Sequence, residues 1–134
     1  MAIDTVGHRL FIGGGKALVM IDESSGKVVA NVPICAGTDA TTYDAATKLV
    51  FVSCSDGHVT IARVDGPDKL SVVQTLDTMP RSRTMTLDPV THKIYLAAVK
   101  LQPPDPNAPA PQPGQRGRGP APVPESFHVL IFGM

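Results

Sequence analysis

Three nine-residue stretches of the chain align without a gap: Asp4 to Ile12, Asp44 to Val52 and Asp88 to Leu96. Each opens on an aspartate and runs through a short turn-forming segment. Each then carries a basic residue at its fifth or sixth position and closes on an apolar–aromatic–apolar triplet: Leu10-Phe11-Ile12, Val50-Phe51-Val52 and Ile94-Tyr95-Leu96. The starts lie 40 and then 44 residues apart. Recurrence at about 40–45 residues marks a propeller, in which each period builds one four-stranded blade.

The chemistry of the motif is that of a hairpin. Aspartate at a strand end accepts hydrogen bonds from backbone a little further along, forming an Asx-turn. Asp88-Pro89 adds a fixed φ at the turn's first central position, and Thr47, Thr91 and Gly7 suit the remainder. The triplets are β-formers with apolar side chains on both faces, as a strand sandwiched between neighbouring sheets requires. One turn-forming role accounts for all three aspartates and is preferred here over a catalytic carboxylate.

Composition narrows the function classes. The 12 basic residues balance 12 acidic ones and charged residues make up 18% of the chain, which argues against a strong electrostatic hold on nucleic acid or anionic membrane. With no Trp and 4% aromatics, a stacking platform for single-stranded nucleic acid has little to build on. No apolar run approaches the ~20 residues of a membrane-spanning helix. The N-terminus of the chain as given lacks the charged and apolar regions of a signal peptide.

Taken in order, the chain repeats one plan. Ala2-Ile3-Asp4 reads as the tail of a first strand. Gly13-Gly14-Gly15-Lys16 reads as a turn rather than a phosphate cradle, because the short apolar strand Ala17 to Ile21 follows it where a cradle needs a helix N-terminus. Glu23-Ser-Ser-Gly26 is a second turn, and Lys27 to Ile34 an alternating outer strand. Strands at about 40–44, 49–54, 58–64 and 70–77 repeat the plan, and those at about 84–88 and 93–99 begin it a third time. Residues 101–125 hold nine of the 13 prolines. They read as a mobile surface insertion without regular structure, with docking into an SH3-like groove as the lesser alternative. Ser126 to Phe132 then supplies one more strand. The fold class is therefore all-β: a partial β-propeller of about three four-stranded antiparallel blades, at about 1–36, 37–80 and 81–134, the last lacking its outer strand.

At this point the residues resemble a family. Leu18-Val-Met-Ile-Asp22, Ser25-Gly-Lys-Val-Val-Ala-Asn-Val-Pro-Ile34 and the threefold aspartate motif are similar to the YVTN-type β-propeller repeat. Arg83-Thr-Met-Thr-Leu-Asp-Pro89 and Phe127-His-Val-Leu-Ile-Phe-Gly133 resemble the C-terminal blades of bacterial YncE-like proteins. Such proteins are complete rings, commonly seven-bladed, and usually exported. The resemblance implies a periplasmic or secreted location, and a chain that forms the last part of a longer protein. Its partners would be an unidentified ligand or protein, and either the missing N-terminal blades or a second copy of itself.

If strands alternate up and down, one rim collects Cys35, Asp39, Cys54, Asp56, His58, Arg81, Ser82, Arg83 and His128, while His8 and His92 fall on the other as solvated turn residues. For Cys35 and Cys54 three readings stay open: two buried free thiols, a disulfide, or a metal held with His58 or His128. Arg81 and Arg83 could hold an anion near a channel or pair with a carboxylate such as Asp39. No nucleophile elbow, zinc-protease motif or phosphate loop occurs, and no cofactor or metal is expected. The favoured function is a non-enzymatic binding or scaffold propeller. The alternative is a lactonase or dehydrogenase-like propeller enzyme, for which Asp39, Asp56, His58, Arg81 and Arg83 are the channel-mouth candidates.

Overall fold

The computed structural model describes residues 1–103 and 120–133. Its strands are β1 (Ala2–Asp4), β2 (Arg9–Gly14), β3 (Ala17–Asp22), β4 (Val28–Pro33), β5 (Thr38–Asp44), β6 (Leu49–Cys54), β7 (His58–Gly66), β8 (Lys69–Asp77), β9 (Met85–Asp88), β10 (Lys93–Leu101) and β11 (Pro122–Phe132). They form three antiparallel meanders, β1-β2-β3-β4, β5-β6-β7-β8 and β9-β10-β11, with no helix among the described residues. The architecture is an all-β partial propeller whose third sheet has three strands among the described residues.

The three aspartates make the turns that join the first and second strands of each sheet. Asp4 Oδ1 accepts the N–H groups of Val6 and Gly7 at 3.1 and 2.9 Å. Asp44 accepts the Ala46 N–H at 3.1 Å and the Thr47 hydroxyl at 2.7 Å, and Asp88 accepts Val90 and Thr91 at 2.9 and 2.6 Å. The fifth motif residue is left-handed in every copy, with φ of 54° at His8, 58° at Lys48 and 57° at His92. That conformation lets the chain double back into the next strand, and it is uncommon for any residue but glycine.

Two apolar layers hold the sheets together. Phe11, Leu18, Met20 and Val32 of the first sheet meet Val50, Val52, Cys54, Ala62 and Leu70 of the second. Leu49, Phe51, Val59 and Ile61 on the second sheet's other face meet Ile94 and Leu96 of the third, flanked by Met85, Leu87, Leu130 and Phe132. All six residues of β6 are buried, since side chains alternating along it serve both layers. At the first layer the backbones approach so closely that a Cβ on Gly13 would lie 2.9 Å from Thr41 Oγ1 and Val52 Cγ1. The Tyr43 ring stacks 4.8 Å from that of Phe11, and its hydroxyl donates to Asp4 Oδ2 at 3.2 Å. Arg9 ties the same two sheets at their edge, donating to Asp22 Oδ2 at 2.7 Å, to the Pro67 carbonyl at 2.7 Å and to Asp68 Oδ1 at 3.2 Å.

The motif now has a direction. Its central aromatic points forward: Phe11 onto the second sheet and Phe51 onto the third. The flanking aliphatics point backward: Val50 and Val52 onto the first sheet, Ile94 and Leu96 onto the second. Two halves of this repeated interface are left uncovered by the described residues. Forward of the third sheet stand Tyr95, Phe127, Val129 and Ile131, the last three 64%, 51% and 56% exposed. Backward of the first sheet lie Leu10 and Ile12, flanked across the ladder by Ile3, Val19 and Ile21.

Three expectations change. Residues 101–125 are not uniformly irregular. Leu101 ends β10 and pairs with Pro122, Gln102 N–H donates to the Ala121 carbonyl at 2.8 Å, and 122–125 begin β11. Pro122 and Pro124 are tolerated because β11 is an edge strand, where a missing N–H breaks no ladder bond. A bulge between Val99 and Leu101, with Glu125 at φ 55°, takes up the irregularity. The expected mobility of the insertion concerns mainly 104–119, outside the described residues. His128 therefore lies mid-strand opposite Ala98, away from any rim loop. His92 is more than a solvated turn residue: its Nδ1 lies 2.9 Å from Oδ2 of Asp44, which is 2% exposed. Burial pushes the Asp44 carboxyl up, but hydrogen bonds from Thr47, Ala46 and His92 outweigh it and hold the group below its ordinary value.

Candidate functional site: the disulfide rim

At one rim the connection β4–β5, the turn β6–β7 and the segment after β8 converge. Cys35, just past β4, is disulfide-bonded to Cys54 at the end of β6, with Cα atoms 5.8 Å apart. Strand register explains the meeting, because Cys54 pairs with Thr38 on one side and with His58 on the other. Gly57 makes the turn between Cys54 and His58 at φ 94°, close under the backbone of Pro80, a place where a side chain would be strained.

Asp56 projects from this turn. Its Oδ2 accepts the Ala36 N–H at 2.7 Å, and its Oδ1 lies 3.1 Å from His58 Nδ1. His58 Nε2 lies 3.5 Å from Asp77 Oδ1, so the imidazole stands between two carboxylates. Burial raises the Asp56 carboxyl, yet the bonds from Ala36 and His58 prevail and hold it below its usual value. Cys35, Asp56, His58 and Thr60, with Ile34 and Val72, line an open groove of about 380 Å³ between the first two sheets. Thr60 Oγ1 accepts the Cys35 N–H at 3.0 Å and fixes the rim's inner edge.

The other candidates stand apart from this groove. Asp39 is exposed on β5, and among the described residues no ion pair joins it to Arg81 or Arg83. Arg81 turns the chain with φ 64° and donates its N–H to the Ser55 carbonyl at 2.9 Å. Arg83 offers its carbonyl to the buried Ser53 hydroxyl, and both arginine side chains point into solvent. Between them Ser82 is fully buried, and its hydroxyl has no partner among the described residues.

Asp77 was missed in the sequence, and the reason lies in register. Val64 pairs with Leu70, and a regular ladder from there would set Leu76 opposite His58. A one-residue shift between Ile61 and Ala62 sets Asp77 there instead.

Comparison with protein-family profiles finds no match, and comparison with curated proteins finds none. Among solved structures, a β-propeller chain in a crystal structure of the mitotic checkpoint complex superposes with a TM-score of 0.61 at 18% identity. The superposition covers 68% of this chain and 29% of that one. The likeness places this chain in the β-propeller repeat class by fold.

Proposed function

We propose that the chain is an arc of a larger non-enzymatic propeller, a binding scaffold of the YVTN type whose two end sheets receive further blades. The observation that carries this is the direction of the motif. Tyr95, Val129 and Ile131 stand where Phe51 and its neighbours stand one blade earlier, and Leu10 and Ile12 stand where Val50 and Val52 stand one blade later. The two open faces are complementary halves of an interface that the chain already forms twice. In a longer protein, preceding blades cover them; in the isolated chain, a second copy stacked head to tail does. A periplasmic or secreted location belongs to the same proposal, supported by the Cys35–Cys54 disulfide, since such bonds persist in oxidising compartments.

Sedimentation of the purified chain across a concentration series tests the reading. Mass should rise with concentration, and Ile131→Lys and Leu10→Lys should each suppress the rise without altering the far-UV spectrum. A monomer at every concentration that unfolds cooperatively above about 60 °C, like an ordinary small domain, would overturn it. The lactonase alternative has one foothold, His58 between Asp56 and Asp77. Lactone turnover that disappears in His58→Ala would replace the scaffold reading.

A further inference from the structure

We propose that the reduced chain carries a zinc site at the disulfide rim, with the Cys35 and Cys54 thiolates and the Asp56 carboxylate as ligands. One ligand atom from each of these residues lies within 4.8 Å of the other two. Two sulfurs and one oxygen form the borderline-soft donor set that suits zinc among the common divalent ions. Zinc brings thiolates together at about 2.3 Å from the metal. The two Cα atoms are 5.8 Å apart, a separation that serves either a disulfide or two sulfurs flanking one ion. The carbonyl oxygens of Val52 and His58, 3.6 and 3.7 Å from Cys35 Sγ, add negative partial charge around a cation.

The surroundings are shaped for a ligand set. The Ala36 N–H and His58 hold the Asp56 carboxylate from either side, and Asp77 in turn orients the imidazole. Partners of this kind fix metal ligands in place. His58 acts here as a positioning residue. Cys35 and Asp56 also line the open groove between the first two sheets, so water has access to the ligand set.

The disulfide and the metal site exclude each other. A phosphine reductant opens the bond cleanly: phosphorus attacks one sulfur, water oxygen ends on phosphorus as the phosphine oxide, and the two water protons end on the two sulfurs. Zinc then displaces both thiol protons into solvent. In an oxidising compartment the disulfide holds the site closed, so occupancy reports the redox state of the chain. The site is independent of the stacking faces and stands or falls without them.

The experiment uses the full chain, reduced with tris(2-carboxyethyl)phosphine under nitrogen and compared with the untreated chain. Cobalt(II) should give a near-ultraviolet thiolate-to-metal charge-transfer band in the reduced chain alone, saturating at one equivalent. Zinc should displace the cobalt and should withstand a chromogenic chelator. Cys35→Ser and Cys54→Ser should each abolish the band. Asp56→Asn, which keeps both thiols, should weaken zinc binding by at least about 10–100-fold, since losing even a group that only orients a metal ligand costs that much. If reduction alone loosens the fold, zinc should restore the far-UV spectrum. The proposal is overturned by equal binding in both redox states, by no charge-transfer band, by wild-type affinity in Asp56→Asn, or by a reduced chain that zinc leaves unfolded.

Discussion

The second and third sheets carry the same motif and almost the same strand plan, yet their central aromatics meet different surroundings. Phe51 is 3% exposed, wedged against Ile94 and Leu96. Tyr95, its counterpart one period later, sits on a face that no described residue covers, beside Val129 and Ile131. The difference is one of neighbours and not of sequence. A blade's apolar content is written for two contacts, and its burial counts how many of them are met. The hydroxyl of Tyr95 does not mark the face as a solvent surface, because the aliphatic side chains flanking it remain as apolar as those around Phe51.

The largest effect should separate these two aromatics. Phe51→Ala removes a side chain packed on every side and should cost about 3–5 kcal/mol. Tyr95→Ala in the dilute chain should cost about 1 kcal/mol or less, as at other positions lacking core contacts. Urea unfolding of both variants measures this, and equal losses would mean that the third sheet's forward face is already covered.

A second, smaller contrast concerns the turn aspartates. Asp44 is reached by His92 from the following blade, whereas Asp88 has no such visitor among the described residues. Both carboxyls are held below their ordinary value: Asp44 by Thr47, Ala46 and His92 against the opposing push of burial, and Asp88 by Thr91 and Val90. A depressed folded pKa contributes stability that is fully present above the unfolded value of about 3.9 and is lost as pH falls through the folded one. Asp44→Asn should therefore lower Tm at neutral pH and flatten its fall below about pH 4. Asp88→Asn should do the same more weakly. A Tm–pH profile that Asp44→Asn leaves unchanged would show that the bridge between blades contributes nothing.

The smallest effect belongs to two buried serines. Ser53 donates to the Arg83 carbonyl, while the Ser82 hydroxyl has no partner among the described residues. Ser53→Ala should cost about 1 kcal/mol, and Ser82→Ala should be neutral or stabilising by up to about 1 kcal/mol, since it removes an unsatisfied polar group. Destabilisation by Ser82→Ala would place a bound water at that hydroxyl.

Much of this architecture is legible because the motif states it three times. The Asp turns, the sandwiched triplets and the incomplete last sheet follow from local chemistry that repeats at a fixed period. What is not legible depends on register and on single-residue slips. Strand parity sets Cys35, Cys54 and Asp56 on one rim, but their spacing does not say that they meet; pairing of Cys54 with both Thr38 and His58 brings this about. Asp77 reaches His58 only through a bulge. The left-handed fifth residue is only partly legible: histidine, like asparagine, is enriched at positive φ, but lysine is not. Pro122 and Pro124 mislead for a related reason: proline density argues against a strand unless the strand is known to be an edge.

The direction of the motif also governs how a head-to-tail assembly of copies would end. A head-to-tail contact has no internal stop; the rotation from one blade to the next decides whether copies close or spiral. Rings of three-blade arcs close only at multiples of three. If the rotation suits a seven-bladed circle, two arcs leave a wedge one blade wide that a third arc cannot enter. Growth then stalls as an open pair or climbs into a filament, and only a partner contributing a different number of blades can close the circle.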